Sequence, residues 1–138
     1  MIKVPLTSAG KSSVIEELLD VLVAAGRVDN RQQALDALLE RESQGSTGLE
    51  SGIAVPHAKT TAVQTLAVAI GISSAGIDFQ SADGGLSHIF FLMLAPPDQS
   101  GPHIEALSEI ARLARSPAFL KALQHAETPQ EVTELLNE

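Results

Sequence analysis

A chain of 138 residues with 44% apolar side chains is long enough for one domain that buries its own core, and too apolar to stay disordered. Nine basic against 17 acidic residues give a net charge of −8, which repels phosphate backbones and argues against nucleic acid as a partner. Cysteine, Trp and Tyr are absent, which excludes disulfides, thiolate zinc sites and cysteine nucleophiles and leaves few platforms for stacking bases.

In chain order, residues 11 to 25 predict a helix with Val14, Leu18 and Leu22 on one stripe and Ile15 and Leu19 beside it, stopped at Gly26. Asn30 followed by Gln33 resembles a capping box. Ala34, Leu35, Leu38 and Leu39 then form the apolar face of a second helix running to about Ser43. Residues 44 to 52 are rich in glycine and hydroxyls and read as a loop. Ile53 to Val55 predict a short buried strand ending at Pro56, which cannot donate to a ladder. Residues 66 to 72 and 88 to 94 suit strands covered on both faces, and residues 76 to 79 an edge strand or part of a turn.

After a loop at 95 to 102, the segment His103 to Arg115 predicts a helix with Ile104, Leu107, Ile110, Ala111 and Ala114 in register. Ser116-Pro117 and Thr128-Pro129 each pair an N-cap with proline at the first helical position, and Glu131 completes a second capping box. Helices at both ends around a group of strands predict a layered α/β domain, a single unit over residues 1 to 138. The longest apolar runs are about seven residues, far short of the roughly 20 that span a bilayer. The expectation is a cytoplasmic protein without direct membrane insertion.

Several catalytic signatures fail on their spacing. Gly10-Lys11-Ser12 resembles the tail of a P-loop, but Pro5 stands where the first glycine is needed, and a helix start explains the residues better. Ser46 and Ser51 lack the G-x-S-x-G elbow, and no H-E-x-x-H occurs. His57 and His103 with a carboxylate remain a weak metal alternative, while His88 and His125 read as structural or solvated.

His57 stands apart because Ile53-Ala54-Val55-Pro56 carries its imidazole to the end of a strand. Gly45, Gly48 and Gly52 let backbone N–H groups approach an anion, Ser46 and Thr47 add hydroxyls, and Arg41 ends the preceding helix with a fork suited to phosphate. A neutral imidazole is a competent nucleophile toward a phosphoryl group. On the residues alone, a phosphate-handling histidine and a buried structural one both remain open.

The pattern Arg41-Glu42, Ser46-Thr47-Gly48 and Gly52-Ile-Ala-Val-Pro-His57-Ala58 resembles the fructose- and mannitol-type enzyme IIA domains of the bacterial phosphotransferase system, including the nitrogen-regulatory branch. Gly76 to Phe79, Asp83-Gly84, Ile89 to Pro96, His103, Leu107 and Lys11 extend the match from about residue 11 to 136. Ile104 replaces the leucine of many relatives, and the stretch before Lys11 is short enough for an edge strand or extra turn to be missing.

The resemblance implies an α/β fold with a mixed central sheet flanked by helices on both faces. It implies His57 as phosphoryl acceptor, with His103 and Arg41 as the other catalytic residues and Ser46, Thr47 and Gly48 around the phosphoryl group. No cofactor and no metal are implied. The implied donor is the histidine-containing phosphocarrier protein. The implied acceptor is a IIB domain of a sugar permease or, in the nitrogen branch, phosphorylation switches binding to a regulated target protein.

Overall fold

The computed structural model describes residues 1–137. Strand β1 (Ile2–Lys3) precedes helices α1 (Lys11–Ala24) and α2 (Arg31–Ser43). Strands β2 (Ile53–Ala54), β3 (His57–Lys59), β4 (Ala67–Ile77) and β5 (Ser87–Ala95) follow, then helices α3 (Ser100–Leu113), α4 (Pro117–Gln124) and α5 (Pro129–Leu136). The sheet order is β1-β4-β5-β2, with β3 also on β5; only the β4–β5 pair is antiparallel, so the sheet is mixed.

The sheet alternation sorts side chains into two cores. Phe90, Leu92 and Leu94 of β5 face α1 and α2, whereas Ile89, Phe91 and Met93 face α3 to α5. Both faces are covered, which is why β5 reads as an unbroken apolar run. On α1, Val14, Ile15, Leu18, Leu19 and Leu22 are fully buried, and Gly26 at φ +74° ends the helix as expected. The Asn30, Ser116 and Thr128 side chains accept the cap hydrogen bonds of α2, α4 and α5.

Four expectations need correction. Leu39 is 37% exposed, because the buried stripe of α2 continues from Leu38 to Glu42 instead. α3 starts three residues earlier than expected, so His103 lies inside its first turn, and Ile104 is 63% exposed. Residues 76 and 77 end β4 after a bulge rather than forming a separate strand. The edge strand is not missing: β1 pairs with β4 in parallel, Ile2 opposite Ile70.

Pro56 interrupts the edge strand without shifting it. Ile53 pairs with Ile89 before the break and His57 with Met93 after it, in one register. The N–H and C=O of a strand residue point the same way, so proline forgoes a donor on the β5 side, yet its carbonyl still accepts from the Met93 N–H at 2.9 Å and keeps the register. The outer edge of β2 is covered by the loop before it. Leu49 N–H donates to Ile53 O at 2.7 Å, Val55 N–H to Thr47 O at 3.0 Å, and Gly48 bridges Ala54 in antiparallel fashion.

Gly48 is needed there for space. A Cβ at this position would stand 3.0 Å from Ser81 Cα and 3.1 Å from the Phe79 carbonyl oxygen, both backbone atoms that cannot swing aside. Gly48→Ala is therefore expected to destabilise the fold by about 1–3 kcal/mol, read from urea denaturation midpoints. An unchanged midpoint would show that the loop yields freely.

Candidate functional site

The cleft forms where the two helical layers meet around the sheet edge. Residues 53, 55, 57 and 59 alternate toward α3, so His57 and Lys59 share that face of β3. Arg41, Glu40 and Gln44 of α2 form the opposite wall, and His103 of α3 closes the floor of a cleft of about 430 Å³.

His57 is half-buried, and its Nδ1 lies 2.7 Å from the Val55 carbonyl oxygen. A carbonyl can only accept, so the proton sits on Nδ1 and the lone pair of the neutral ring is on Nε2. The ring meets that of His103 edge to face, with centroids 5.4 Å apart although 46 residues separate them.

His103 is 5% exposed, and its buried Nε2 has no hydrogen-bond partner. Burial, then the charges of His57 and Lys59, hold its pKa below the ordinary histidine value. His103 is thus a neutral ring at pH 7, carrying an orphaned polar atom that a ligand could pair.

Two cations border these rings. Arg41 donates from Nη1 to the Gly45 carbonyl at 2.9 Å, which steers its guanidinium at the helix end. Lys59 donates from Nζ to Ser100 Oγ at 3.2 Å, bridging β3 to the first turn of α3. Sequence reasoning missed Lys59. Its signal was the two-residue spacing from His57, legible only once residues 57 to 59 are recognised as strand.

The structure brings His57, His103 and Arg41 together, whereas Ser46, Thr47 and Gly48 do not line the cleft. The Ser46 hydroxyl donates to Phe79 O at 2.6 Å and accepts from the Gly48 N–H at 3.0 Å. The Thr47 hydroxyl donates to Glu42 Oε2 at 2.6 Å, and the residue is 4% exposed. His88 and His125 each hold a backbone carbonyl through Nδ1, Ser73 O and Lys121 O respectively. Among the described residues, no three His, Cys, Asp or Glu side chains cluster as a metal site would require. No helix among them is long and apolar enough to cross a membrane.

Arranged this way, a nucleophilic nitrogen faces a cleft with two cations and a neutral imidazole at hand, the set of groups that phosphoryl chemistry uses. Comparison with known proteins agrees. The family described as "Phosphoenolpyruvate-dependent sugar phosphotransferase system, EIIA 2" matches residues 1–138. The fructose-specific EIIA component of Haloferax volcanii is 43% identical over 130 residues, covering 94% of this chain and 84% of that protein. The fructose-specific EIIABC component of Bacillus subtilis is 39% identical over 137 residues, covering 99% of this chain but only 22% of that much longer protein. The crystal structure of the nitrogen regulatory protein IIA-Ntr from Neisseria meningitidis superposes with a TM-score of 0.84 at 26% identity, covering 98% of this chain and 92% of that one. With the family match running the length of the chain and the histidine pair in place, the chain belongs to the EIIA 2 family of the phosphoenolpyruvate-dependent sugar phosphotransferase system.

Proposed function

We propose that His57 Nε2 accepts a phosphoryl group from the histidine-containing phosphocarrier protein and passes it to the IIB domain of a fructose-type permease. The observation that carries this reading is the histidine pair, one ring with a free Nε2 and the other with a buried, unpaired Nε2 beside it. The fructose-specific relatives supply the sugar class, and the Bacillus protein joins A, B and C components in one chain.

In the step proposed, the lone pair of Nε2 attacks phosphorus in line as the bond to the donor's ring nitrogen breaks. The proton on Nδ1 stays where it is. N-phosphorylation makes the ring cationic, and the Nδ1–H bond to the Val55 carbonyl strengthens as that charge develops. Arg41 and Lys59 stabilise the charge on the equatorial oxygens, and His103 Nε2–H donates to one of them. The Ser46-Thr47-Gly48 loop then contributes through the shape it imposes rather than through its hydroxyls.

A second reading, a regulatory protein whose phosphorylation switches binding to a target, rests on the structural likeness to the nitrogen regulatory protein. The experiment is incubation with phosphoenolpyruvate, enzyme I and the phosphocarrier, followed by a chase with IIB domains. Uptake with onward transfer supports the relay, and uptake without any acceptor supports the switch.

His57→Ala is expected to abolish acid-labile, base-stable phosphate incorporation, while His103→Ala takes up phosphate but passes it on slowly. If His57→Ala incorporates phosphate at the wild-type rate, the acceptor is another residue. Arg41→Ala should slow transfer by roughly 100-fold without unfolding the chain, and Arg41→Lys should recover only part, because ammonium lacks the planar fork. Equal rates in wild type and Arg41→Ala would remove the arginine from the mechanism.

His103 also predicts a pH dependence. Its folded pKa lies below that of the unfolded chain, so the unfolded state binds its proton first as pH falls. The stabilisation is present above a pH of about 6.5 and is lost progressively below it, toward the lowered folded value. His103→Gln should flatten the fall in stability between pH 7 and 5, measured by denaturant titration at each pH. Parallel curves for the two proteins would contradict the assignment.

A further inference from the structure

Given that reading of His57, what fixes the ring for attack is a buried carboxylate outside the cleft. Glu42 follows Arg41 on α2, yet one helical step turns it from the cleft into the core, where it is 9% exposed. Its Oε1 accepts from the Thr47 N–H at 2.7 Å and faces Lys11 Nζ at 3.1 Å, and its Oε2 accepts from Thr47 Oγ1 at 2.6 Å. Thr47 is therefore gripped through two donors at once, which fixes the direction of its peptide as well as its position.

From Thr47 the connection runs through one residue to the reacting ring. Thr47 O accepts from the Val55 N–H at 3.0 Å, and Val55 O accepts from His57 Nδ1–H at 2.7 Å. Pro56, with its fixed φ, leaves little slack between Val55 and His57. The same grip closes residues 42 to 47 into a tight turn, within which Gly45 O receives the Arg41 guanidinium.

We propose that Thr47, anchored by Glu42 and Lys11, is a positioning residue for both His57 and Arg41: it fixes the Val55 carbonyl that keeps His57 in the Nδ1–H tautomer and the Gly45 carbonyl that steers Arg41. Thr47 touches neither the phosphoryl group nor the reacting nitrogen. Its loss acts by letting the neutral His57 ring shift toward the Nε2–H tautomer, which has no lone pair to present to the cleft.

The test compares wild type, Thr47→Val, Thr47→Ser and Glu42→Gln in two measurements. Nitrogen NMR of the His57 ring in unphosphorylated protein at alkaline pH reports the tautomer. Single-turnover phosphate uptake reports the rate. Thr47→Val keeps the shape and removes the hydroxyl; it should move the ring population toward Nε2–H and slow uptake between roughly 10- and 100-fold. Thr47→Ser restores the hydroxyl and should recover both readouts, which a role limited to filling space would not do.

If Thr47→Val does not fold, Glu42→Gln decides, because it turns one acceptor of the grip into a donor and should shift both readouts in the same direction. A Thr47→Val protein, or failing it Glu42→Gln, that keeps the wild-type tautomer and rate overturns the proposal. Wild-type protein that takes up no phosphate overturns the proposed function instead, and the tautomer readout then still decides the grip.

Discussion

Glu42 places a carboxylate where little water reaches, and a buried charge is tolerated only if nearly every lone pair is matched. Three donors from two segments meet this demand, the Thr47 N–H and hydroxyl and the Lys11 ammonium. Lys11 also donates to Gln80 Oε1 at 3.1 Å and lies 4.9 Å above the ring of Phe79, which itself stacks edge to face on Phe90 of β5. The start of α1, the end of α2, the turn after β4 and the loop before β2 are thus drawn to one point. Removing any one partner would leave another charged or polar group stranded, which is a stronger constraint than the favourable energy of the pair itself.

That constraint shapes the sheet edge, and the edge shapes the chemistry. An uncovered β2 would present unpaired N–H and C=O groups to solvent, and the anchored loop satisfies them as far as Val55. Beyond Val55 the cover ends, proline leaves one ladder donor missing on the β5 side, and His57 is the first outward-facing residue free of the loop. In a chain of net charge −8, Arg31 is paired with Glu16 and Asp20, Arg112 with Glu109 and Lys11 with Glu42. Arg41 and Lys59, like Arg27 on another face, donate to carbonyls or hydroxyls instead, so the charge of the two at the cleft is available to an anion there.

The helices and the covered strands were legible because each carried a local signal. Asn30, Ser116-Pro117 and Thr128-Pro129 are caps whose hydrogen bonds form within three residues, and β5 is an apolar run with no polar face to place. What escaped depended on distant partners. β1 has two residues and exists because β4 offers it an edge, and β3 exists because β5 continues past the proline. Leu39 and Ile104 fit the helical period but fall where no layer covers them. In the site, the motif pointed to His57, Arg41 and the loop together. It could not show that Thr47 turns its hydroxyl inward, because that depends on Glu42 being buried, a property of how α2 packs rather than of the loop.

The two histidines differ in exposure, and the proposed relay gives that difference a use. A group handed between proteins must be reached in line by a second macromolecule, so the reacting nitrogen has to stand at a rim, and a half-buried ring on an edge strand meets that condition. A ring that only steadies the group gains from the opposite placement. In the proposed relay, burial keeps His103 neutral and leaves its Nε2 without a partner, ready to pair with the transferred group. Nothing in this division refers to a sugar. Relay to a IIB domain and switching of a regulated target therefore make the same demands on the cleft. What would distinguish the two proposed readings is the surface around it, where Ile104 stands exposed one residue beyond His103.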